Sequence, residues 1–283
     1  MRFVTFEKDG FVQPGVWSGD EIVGLAAAGF TTLLEVIAGG ADALDRVERW
    51  LDSAPGGEIA ARAQVRLLAP VPRPPKFICI GLKYRDHAEE SNQPIPSVPT
   101  VFAKFPTAVA GPGDDVVLPQ ASSQPDYEAE FGVVIGKGGR HIPEERWQEH
   151  VFGYTIVNDV SARDFQTATS QWIMGKTFDT FAPCGPAIVT AADIEDPHAL
   201  DISLTLNGRV MQNSNTRNLI FRLPRLIAFL SSVFTLEPGD IISTGTPGGV
   251  GAARKPPVWL RPGDEMVVRI EGLGELVNRC VAE

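Results

Sequence analysis

Two glutamates separated by one residue stand at the start of an apolar stretch, in the segment DYEAEFGVVIG of residues 126–136. Side chains two residues apart in a strand point to the same face, so Glu128 and Glu130 would hold two negative charges side by side. At ~4 Å in a partly buried setting, such charges repel each other by roughly 4 kcal/mol. Water, a basic side chain, a raised pKa or a metal ion could offset this repulsion.

A third carboxylate strengthens the metal interpretation over that of a solvated strand face. Asp159 ends an apolar strand in GYTIVNDVSARDF, where a loop begins. Asp164 is a weaker candidate, because Ser161 and Asp164 have the spacing of a capping box that opens a helix. Three carboxylates with no Cys or His near them are hard oxygen ligands, which suit Mg²⁺, Mn²⁺ or Ca²⁺ better than zinc.

The segment GLKYRDHAEES, residues 81–91, offers a candidate general base. On one helical turn His87 and Glu90 are neighbours, and a carboxylate in that position orients the imidazole and raises its basicity. An imidazole prepared in this way can activate water. A charged surface turn is the alternative interpretation of the same residues.

Two further segments carry polar groups next to apolar sequence. In MGKTFDTFAPCGP, Lys176 could stabilise a developing anion, although a surface lysine is the alternative. It does not belong to a phosphate-binding loop, because Ser170 stands where the first glycine of that motif would be. STGTPGGVG, residues 243–251, supplies hydroxyls and backbone N–H groups without a dinucleotide-binding pattern.

The elements that would position these residues are mostly strands. From residue 76 onward, short β-branched runs alternate with Gly, Pro and Asp signals, and Asn207-Gly208 predicts a tight hairpin. One clear helix interrupts them, in LPRLIAFLSSVF. Regular alternation of strands and helices is missing, so the sequence predicts an α+β, β-rich fold with a rolled or sandwiched sheet.

The N-terminal part of the chain differs from the rest. Residues 1–66 suggest a hairpin followed by a helix over Ala41–Ala54, with Gly39-Gly40 before it. Residues 67–75 are rich in proline and predict an extended connector. We therefore expect a small N-terminal domain over 1–66 and a catalytic domain over 76–283.

Composition excludes several classes of function. The chain has 283 residues, of which 43% are hydrophobic and 21% charged, and its formal net charge is −10. An acidic surface argues against nucleic acid and anionic membranes as partners. Three widely spaced cysteines, no secretory signal and no long apolar run predict a reduced, cytoplasmic protein without a transmembrane helix.

Taken in order, five segments resemble the fumarylacetoacetate hydrolase family. They are GLKYRDHAEE, DYEAEFGVVIG, NDVSARDFQ, MGKTFDTFAPCGP and ISTGTPGGVG, and the C-terminal PPVWLRPGDEMVVRIEGLGELVNR is similar as well. The resemblance covers about 210 residues, from Lys76 to the C-terminus. The first 65 or so residues resemble the small extra domain of longer bacterial members.

The resemblance implies a mixed β-sandwich roll, a homodimer and a Mg²⁺ or Mn²⁺ ion. Its implied site residues fall into three groups: metal ligands Glu128, Glu130 and Asp159; catalytic residues His87, Glu90 and Lys176; and substrate-binding residues Tyr84, Gln166, Gly245 and Thr246. His87 and Glu90 would lie on a mobile lid. Many similar proteins have Asn where this chain has Lys83, which puts the substrate preference in doubt.

The resemblance also implies a reaction class. The family acts on 2-oxo acids with a further carbonyl, and the expected activity is hydrolysis of an acylpyruvate to pyruvate and a carboxylic acid. Isomerases, decarboxylases, oxaloacetate tautomerases and dehydratases use the same scaffold and are the alternative. A non-catalytic protein that only binds a divalent cation is a third possibility.

Overall fold

Strands dominate the computed structural model, which describes residues 1–53, 59–81, 84 and 97–283. The strands are β1 Arg2–Lys8, β2 Phe11–Ser18, β3 Glu21–Gly24, β4 Ile59–Ala61, β5 Arg66–Leu68, β6 Phe77–Gly81, β7 Thr100–Lys104, β8 Val109–Ala110, β9 Asp115–Leu118, β10 Pro125–Asp126, β11 Ala129–Ile135, β12 Val151–Asn158, β13 Ser161–Ala162, β14 Ala182–Thr190, β15 Asp201–Leu206, β16 Arg209–Asn215, β17 Ile241–Ser243, β18 Glu265–Ile270 and β19 Gly274–Ala282. The helices are α1 Leu33–Asp52, α2 Arg163–Gln166, α3 Ile173–Lys176 and α4 Leu223–Val233.

The larger of two main sheets carries the candidate site. Its strands run in the order β4-β3-β2-β1-β14-β12-β11-β17-β6-β7, with β5 paired to β1 and β8 paired to β14. Strand β11 lies at its centre, antiparallel to both β12 and β17, with Glu130 opposite Val157. All seven residues of β11 are buried, as expected for a central strand covered on both faces.

The smaller main sheet has the order β16-β15-β18-β19-β9. Its first hairpin turns at Asn207 and Gly208, both with positive φ, as the Asn-Gly pair predicts. Apolar side chains of both sheets and of α4 meet in one hydrophobic core that includes Phe131, Ile202 and Leu226. The predicted α+β, β-rich sandwich is confirmed.

The N-terminal residues continue the larger sheet. Phe3 in β1 lies opposite Ile188 in β14, and Phe3 shares a buried cluster with Phe77 and Val134 of the later part of the chain. Helix α1 has a non-helical residue at Gly40, after which its second part begins, close to the predicted start at Ala41. Paired strands and a shared core join the N-terminal residues to the later part of the chain, and the division into 1–66, 67–75 and 76–283 stays a prediction.

Within the part of the chain that the structure describes, no helix is both long and apolar enough to cross a membrane.

Candidate active site

Three buried carboxylates converge at one end of the central strands. Glu128 precedes β11, Glu130 is its second residue, and Asp159 directly follows β12. One carboxylate oxygen from each lies within 4.8 Å of the others, and the exposed fractions of these residues are 5%, 1% and 0%. The alternation of β11 places both glutamates on one face, and the antiparallel pairing with β12 brings Asp159 beside them.

The backbone between the two glutamates is fixed from the second sheet. Gln212 of β16 accepts a hydrogen bond from the Ala129 N–H at 2.9 Å and donates to the Thr246 hydroxyl at 2.8 Å. Thr246 in turn donates to the Ala129 carbonyl at 2.9 Å. Gln212 and Thr246 therefore hold the residue that sets the separation of the two carboxylates.

Each carboxylate has one oxygen tied to a fixed partner. For Glu130, the Ser243 hydroxyl and the Gly245 N–H, at 3.0 Å, both donate to Oε2. Arg163 Nη1 lies 2.7 Å from Glu128 Oε1. The same kind of contact joins the Lys104 ammonium to Asp159 Oδ1. Partners of this type orient carboxylates in metal sites and are needed for tight binding.

Lys176 contacts the remaining oxygens of two of the three carboxylates. Its Nζ donates to Glu128 Oε2 at 2.8 Å and to Asp159 Oδ2 at 2.7 Å. The lysine is 2% exposed. It reaches this position because α3 packs closely on α2, which requires a glycine at position 175. A Cβ on Gly175 would lie 2.3 Å from the backbone nitrogen of Gln166. The sequence interpretation of Lys176 as a merely exposed lysine is wrong.

Burial and charge act in opposite directions on these groups. Burial alone lowers the pKa of Lys176, but the carboxylates of Asp159 and Glu128 outweigh it, so its pKa lies above the ordinary lysine value. Burial, together with the charges of Asp159 and Glu128, raises the pKa of Glu130 well above the ordinary value. The cluster thus keeps its ammonium charged and disfavours charge on one of its carboxylates.

The donor set fits a divalent cation. It consists of three buried carboxylates, which are hard oxygen ligands, and each is oriented by a separate partner. The Lys176 ammonium contacts two of the three carboxylates that would hold such an ion. A divalent metal site is therefore supported at Glu128, Glu130 and Asp159. A cation is nevertheless not the sole answer to the predicted repulsion, because Lys176, Lys104 and Arg163 also offset it.

A small cavity of about 130 Å³ opens onto two of these carboxylates, Glu128 and Glu130; we call it the inner cavity. The described residues that line it are Ile80, Gly81, Phe102, Glu128, Glu130, Arg163, Gln166, Trp172, Lys176 and Thr246. The rings of Phe102 and Trp172 meet edge to face, and the Lys176 ammonium lies 5.0 Å from the Phe102 ring centre. Trp172 can lie against Gly81 only because that position lacks a Cβ, which would be 2.3 Å from the indole.

The other predicted site residues have different positions. Gln166 and Thr246 line the inner cavity, and Gly245 supports Glu130 through its N–H. Tyr84 is fully buried in the hydrophobic core, where its backbone bridges to Leu219, and it is not among the described lining residues. His87 and Glu90, like Lys83 and most of the expected lid, lie outside the described residues.

Sequence reasoning missed several residues of the site. Lys104 ends strand β7, and a lone lysine in TVFAK gave no sign that it would be buried against Asp159. Arg163 stands in the quoted segment NDVSARDFQ, so the motif could have identified it. Gln212 comes from the hairpin that Asn207-Gly208 predicts, but the sequence gives no signal that this glutamine would reach the carboxylate cluster.

The capping box predicted at Ser161 and Asp164 is wrong. The Ser161 hydroxyl donates to the Asp159 carbonyl, and Ala162 is the residue that precedes α2. Asp164 instead accepts hydrogen bonds from the Ser122 hydroxyl at 2.7 Å and the Ser123 N–H at 2.9 Å. It therefore holds a neighbouring loop and takes no part in the carboxylate cluster.

Comparison with known proteins agrees with this geometry. Residues 76–281 match the family described as fumarylacetoacetate (FAA) hydrolase C-terminal. The bovine (Bos taurus) mitochondrial oxaloacetate tautomerase FAHD2A is 45% identical over 290 residues, which cover 99% of this chain and 92% of the relative.

Two solved structures share the whole fold. Fumarylacetoacetate hydrolase from psychrophilic Exiguobacterium antarcticum superposes with a TM-score of 0.88 and is 37% identical, with 100% of both chains covered. Maleylpyruvate hydrolase from Sphingobium sp. SYK-6, solved in complex with manganese(II) and pyruvate, gives a TM-score of 0.84 at 34% identity, with 100% of this chain and 99% of the other covered. This chain belongs to the fumarylacetoacetate hydrolase family and is an enzyme of that superfamily.

Proposed function

We propose that the protein is a metal-dependent oxaloacetate tautomerase, which interconverts the keto and enol forms of a small 2-oxo dicarboxylic acid. The observation that carries this proposal is the 45% identity to a named oxaloacetate tautomerase over 99% of the chain. The sequence motifs alone favour acylpyruvate hydrolysis, with oxaloacetate tautomerisation as an alternative. The identity to the bovine tautomerase favours tautomerisation over hydrolysis.

The inner cavity suits this chemistry. Tautomerisation removes a proton from the carbon next to the 2-oxo group while negative charge develops on the 2-oxo oxygen. The buried Lys176 ammonium on the cavity wall can stabilise that charge, since a fixed cation in a water-poor site acts strongly on a developing anion. Gln166 and Thr246 add neutral polar groups on the same wall. No attack by water and no cleavage of a C–C bond are needed.

A divalent ion would be held by Glu128, Glu130 and Asp159, where it would supply Lewis acidity and a template for a 2-oxo acid. Mg²⁺ and Mn²⁺ are the ions that we propose, with Ca²⁺ as a third candidate, because carboxylate oxygens suit all three. We assign proton transfer to His87, oriented by Glu90, on the basis of the sequence motif.

Stopped-flow absorbance of the oxaloacetate enol tests the proposal. The purified protein with Mg²⁺ should equilibrate the keto and enol forms of oxaloacetate much faster than Mg²⁺ alone does. Mg²⁺ without protein is the necessary blank, because metal ions also promote enolisation. The Glu130→Gln variant is the matched protein control. A wild-type rate equal to that of the Mg²⁺ blank would contradict the proposal.

Hydrolysis of an acylpyruvate is the second candidate. The likeness to maleylpyruvate hydrolase, solved with manganese(II) and pyruvate, favours it. Incubation of acylpyruvates in ¹⁸O-labelled water distinguishes the two activities, because only a hydrolase places one labelled oxygen in the new carboxylic acid. In that case His87→Ala should abolish cleavage while metal binding persists. Labelled acid without accelerated oxaloacetate enolisation would favour the hydrolase.

The homodimer and the cytoplasmic location expected from the sequence remain proposals. Light scattering after gel filtration of the purified chain tests the first, and fractionation of cells that produce it tests the second.

A further inference from the structure

Asp126 is a buried carboxylate to which the proposed chemistry gives no part. It ends β10, two residues before the metal ligand Glu128, and none of its surface is exposed. A charged group is retained in a protein interior only where hydrogen bonds or opposite charges stabilise it. The contacts of Asp126 therefore indicate what this residue does.

Both oxygens of the Asp126 carboxylate are held. Oδ1 accepts hydrogen bonds from the N–H groups of Tyr127 at 2.9 Å and Gly251 at 2.7 Å. Oδ2 accepts from the Ala252 N–H at 3.0 Å and from Arg163 Nε at 2.9 Å. A second nitrogen of the same guanidinium, Nη2, lies 2.8 Å from Oδ2. The carboxylate is thus fixed in position by three separate parts of the chain.

The loop that joins β17 and β18 approaches this carboxylate closely. A Cβ at Gly251 would lie 2.6 Å from Asp126 Oδ1 and 1.9 Å from the Val258 carbonyl oxygen. Such distances are shorter than any contact between a carbon and an oxygen, so the position requires glycine. The loop and Asp126 therefore form one rigid support on the far side of Arg163.

The other side of the Arg163 guanidinium faces the candidate active site. Its Nη1 lies 2.7 Å from Glu128 Oε1 and donates to Gln166 Oε1 at 2.9 Å. A guanidinium is planar and its N–H groups point in fixed directions, so a partner that holds Nε and Nη2 also sets the direction of Nη1. The hold of Asp126 on Arg163 therefore reaches a metal ligand and a residue of the inner cavity.

We propose that Asp126 is a positioning residue of the metal site. It fixes the guanidinium of Arg163, and Arg163 fixes the carboxylate of Glu128 in the orientation that a divalent ion requires. This inference deepens the proposed function and rests on its metal site, although not on the reaction that occurs there.

Titration calorimetry with Mg²⁺ tests the inference in two backgrounds. Asp126→Asn keeps the shape of the side chain but removes the charge that pairs with Arg163. It should weaken Mg²⁺ binding by about 10- to 100-fold, the range for outer partners of metal ligands. Arg163→Lys keeps a positive charge but lacks the planar fork. In that background Asp126→Asn should change the affinity by less than about threefold, because residues that act through one another are not additive.

Asp240→Asn is the matched control. Asp240 is also fully buried, lies 3.1 Å from the Lys76 ammonium and accepts the Glu237 N–H at 2.8 Å. Its own carbonyl accepts from the N–H of Ile135 at the end of β11, away from Glu130. Asp240→Asn should make the protein easier to unfold in urea and leave its Mg²⁺ affinity at the wild-type value.

Two results would overturn the inference. One is an Mg²⁺ affinity of Asp126→Asn equal to that of wild type. The other is an equal loss of affinity in the wild-type and Arg163→Lys backgrounds, because Asp126 would then act through its charge or through the loop. If Asp126→Asn does not fold, Asp126→Ser replaces it in both backgrounds with the same expected result, since serine leaves room for water beside Arg163.

Failure of the inference can be told apart from failure of the proposed function, because Mg²⁺ affinity is measured without any turnover. If Asp126→Asn weakens Mg²⁺ binding only in the presence of Arg163, and wild type does not accelerate oxaloacetate enolisation, the tautomerase proposal is wrong and the positioning role stands. If wild type accelerates enolisation and Asp126→Asn binds Mg²⁺ normally, the positioning role is wrong and the tautomerase proposal stands.

Discussion

A larger cavity of about 560 Å³, which we call the outer cavity, shares Arg163, Gln166 and Trp172 with the inner cavity, yet the chemistry of the two differs. Around the inner cavity, buried carboxylates and cations contact one another at 2.7 to 2.8 Å, as the pairs of Lys176 with Glu128 and Asp159 illustrate. Apart from the shared Arg163, the charged side chain that lines the outer cavity is the exposed Lys255, and the other lining residues are neutral. Changing one inner charge leaves another buried without its partner, whereas changing Lys255 leaves nothing buried and charged behind.

This difference predicts unequal tolerance to substitution. The charges around the inner cavity depend on one another and tolerate little change. The loop side chains of the outer cavity can be replaced at low cost to folding. The expected effects of substitution therefore decrease from the carboxylate cluster outward.

Replacement of a carboxylate ligand should have the largest effect. Glu130→Gln, and likewise Glu128→Gln, should weaken Mg²⁺ or Mn²⁺ binding by more than about 100-fold, since loss of an outer partner alone typically costs ~10–100-fold. Activity should fall with it. Titration calorimetry measures the affinity, with exposed Glu145→Gln as the control. Unchanged cation affinity in both variants would refute the metal site.

Lys176→Met should separate metal binding from catalysis. Its positive charge lies against two of the carboxylates that would hold a cation, so its removal should leave Mg²⁺ affinity at least as high as in wild type. The enolisation rate should fall by ~10²–10³-fold, as for the loss of one group that stabilises a developing oxyanion. Stopped-flow and calorimetric measurements on one preparation decide this. A Lys176→Met enzyme with near wild-type rates would contradict the assigned role.

Replacement of Lys104 provides a comparison for the Lys176→Met variant. Lys104 pairs with Asp159 but is not among the described residues that line the inner cavity. Lys104→Met should therefore leave the chemical step largely intact but cost stability on the order of 3–5 kcal/mol, as for a buried pair that has lost one partner. It should also weaken Mg²⁺ binding by about 10- to 100-fold, because Lys104 orients Asp159. Urea unfolding in the absence of Mg²⁺ measures this loss. A large fall in rate at unchanged stability would assign Lys104 to the chemistry instead.

An intermediate effect is expected where the second sheet supports the cluster. Gln212→Leu keeps the side-chain size but removes the hydrogen bonds to Ala129, Thr246 and the Pro247 carbonyl. Cation affinity should fall by about 10- to 100-fold, as for other outer partners of metal ligands. Exposed Gln148→Leu is the control for a glutamine change that does not touch the cluster. A Gln212→Leu protein that binds Mg²⁺ as tightly as wild type would show that the backbone of Ala129 does not need this support.

The sequence predicts the inner cluster better than its surroundings, for a physical reason. Glu128, Glu130 and Asp159 lie at strand ends, where the alternation of side chains and antiparallel pairing determine which face they share. Lys176 and Gln166 stand in conspicuous motifs. Lys104 and Gln212 reach the cluster from distant strands, and such contacts follow only from the complete sheet order. Lys255 lies in a loop outside the helices and strands, so the sequence gives no signal that it lines the same cavity as Arg163.

The smallest effect is expected at Asp164, which lies in α2 but is not among the described residues that line either cavity. Its carboxylate accepts hydrogen bonds from Ser122, Ser123 and the Phe165 N–H, and so holds the segment that leads to Gln124. Partial burial opposes ionisation, but these hydrogen bonds outweigh it and keep the pKa of Asp164 below its usual value. The ionised form is therefore preferred in the folded protein over the unfolded chain.

The sign of the pH dependence follows from that preference. A carboxyl whose pKa is lowered by folding stabilises the protein fully above its unfolded pKa of ~3.9, and the contribution disappears as the pH falls through the folded value. Asp164→Asn should cost less than about 1 kcal/mol at pH 7, because Asp164 is partly exposed to solvent. Unfolding of wild type and variant at a series of pH values from 7 to 3 measures this cost. The difference should shrink toward zero at the acid end, while Mg²⁺ affinity at pH 7 remains that of wild type. If the difference in unfolding free energy stays constant with pH, the charge of Asp164 makes no contribution to stability. If Asp164→Asn lowers the Mg²⁺ affinity, α2 transmits the change at Asp164 to the carboxylate cluster.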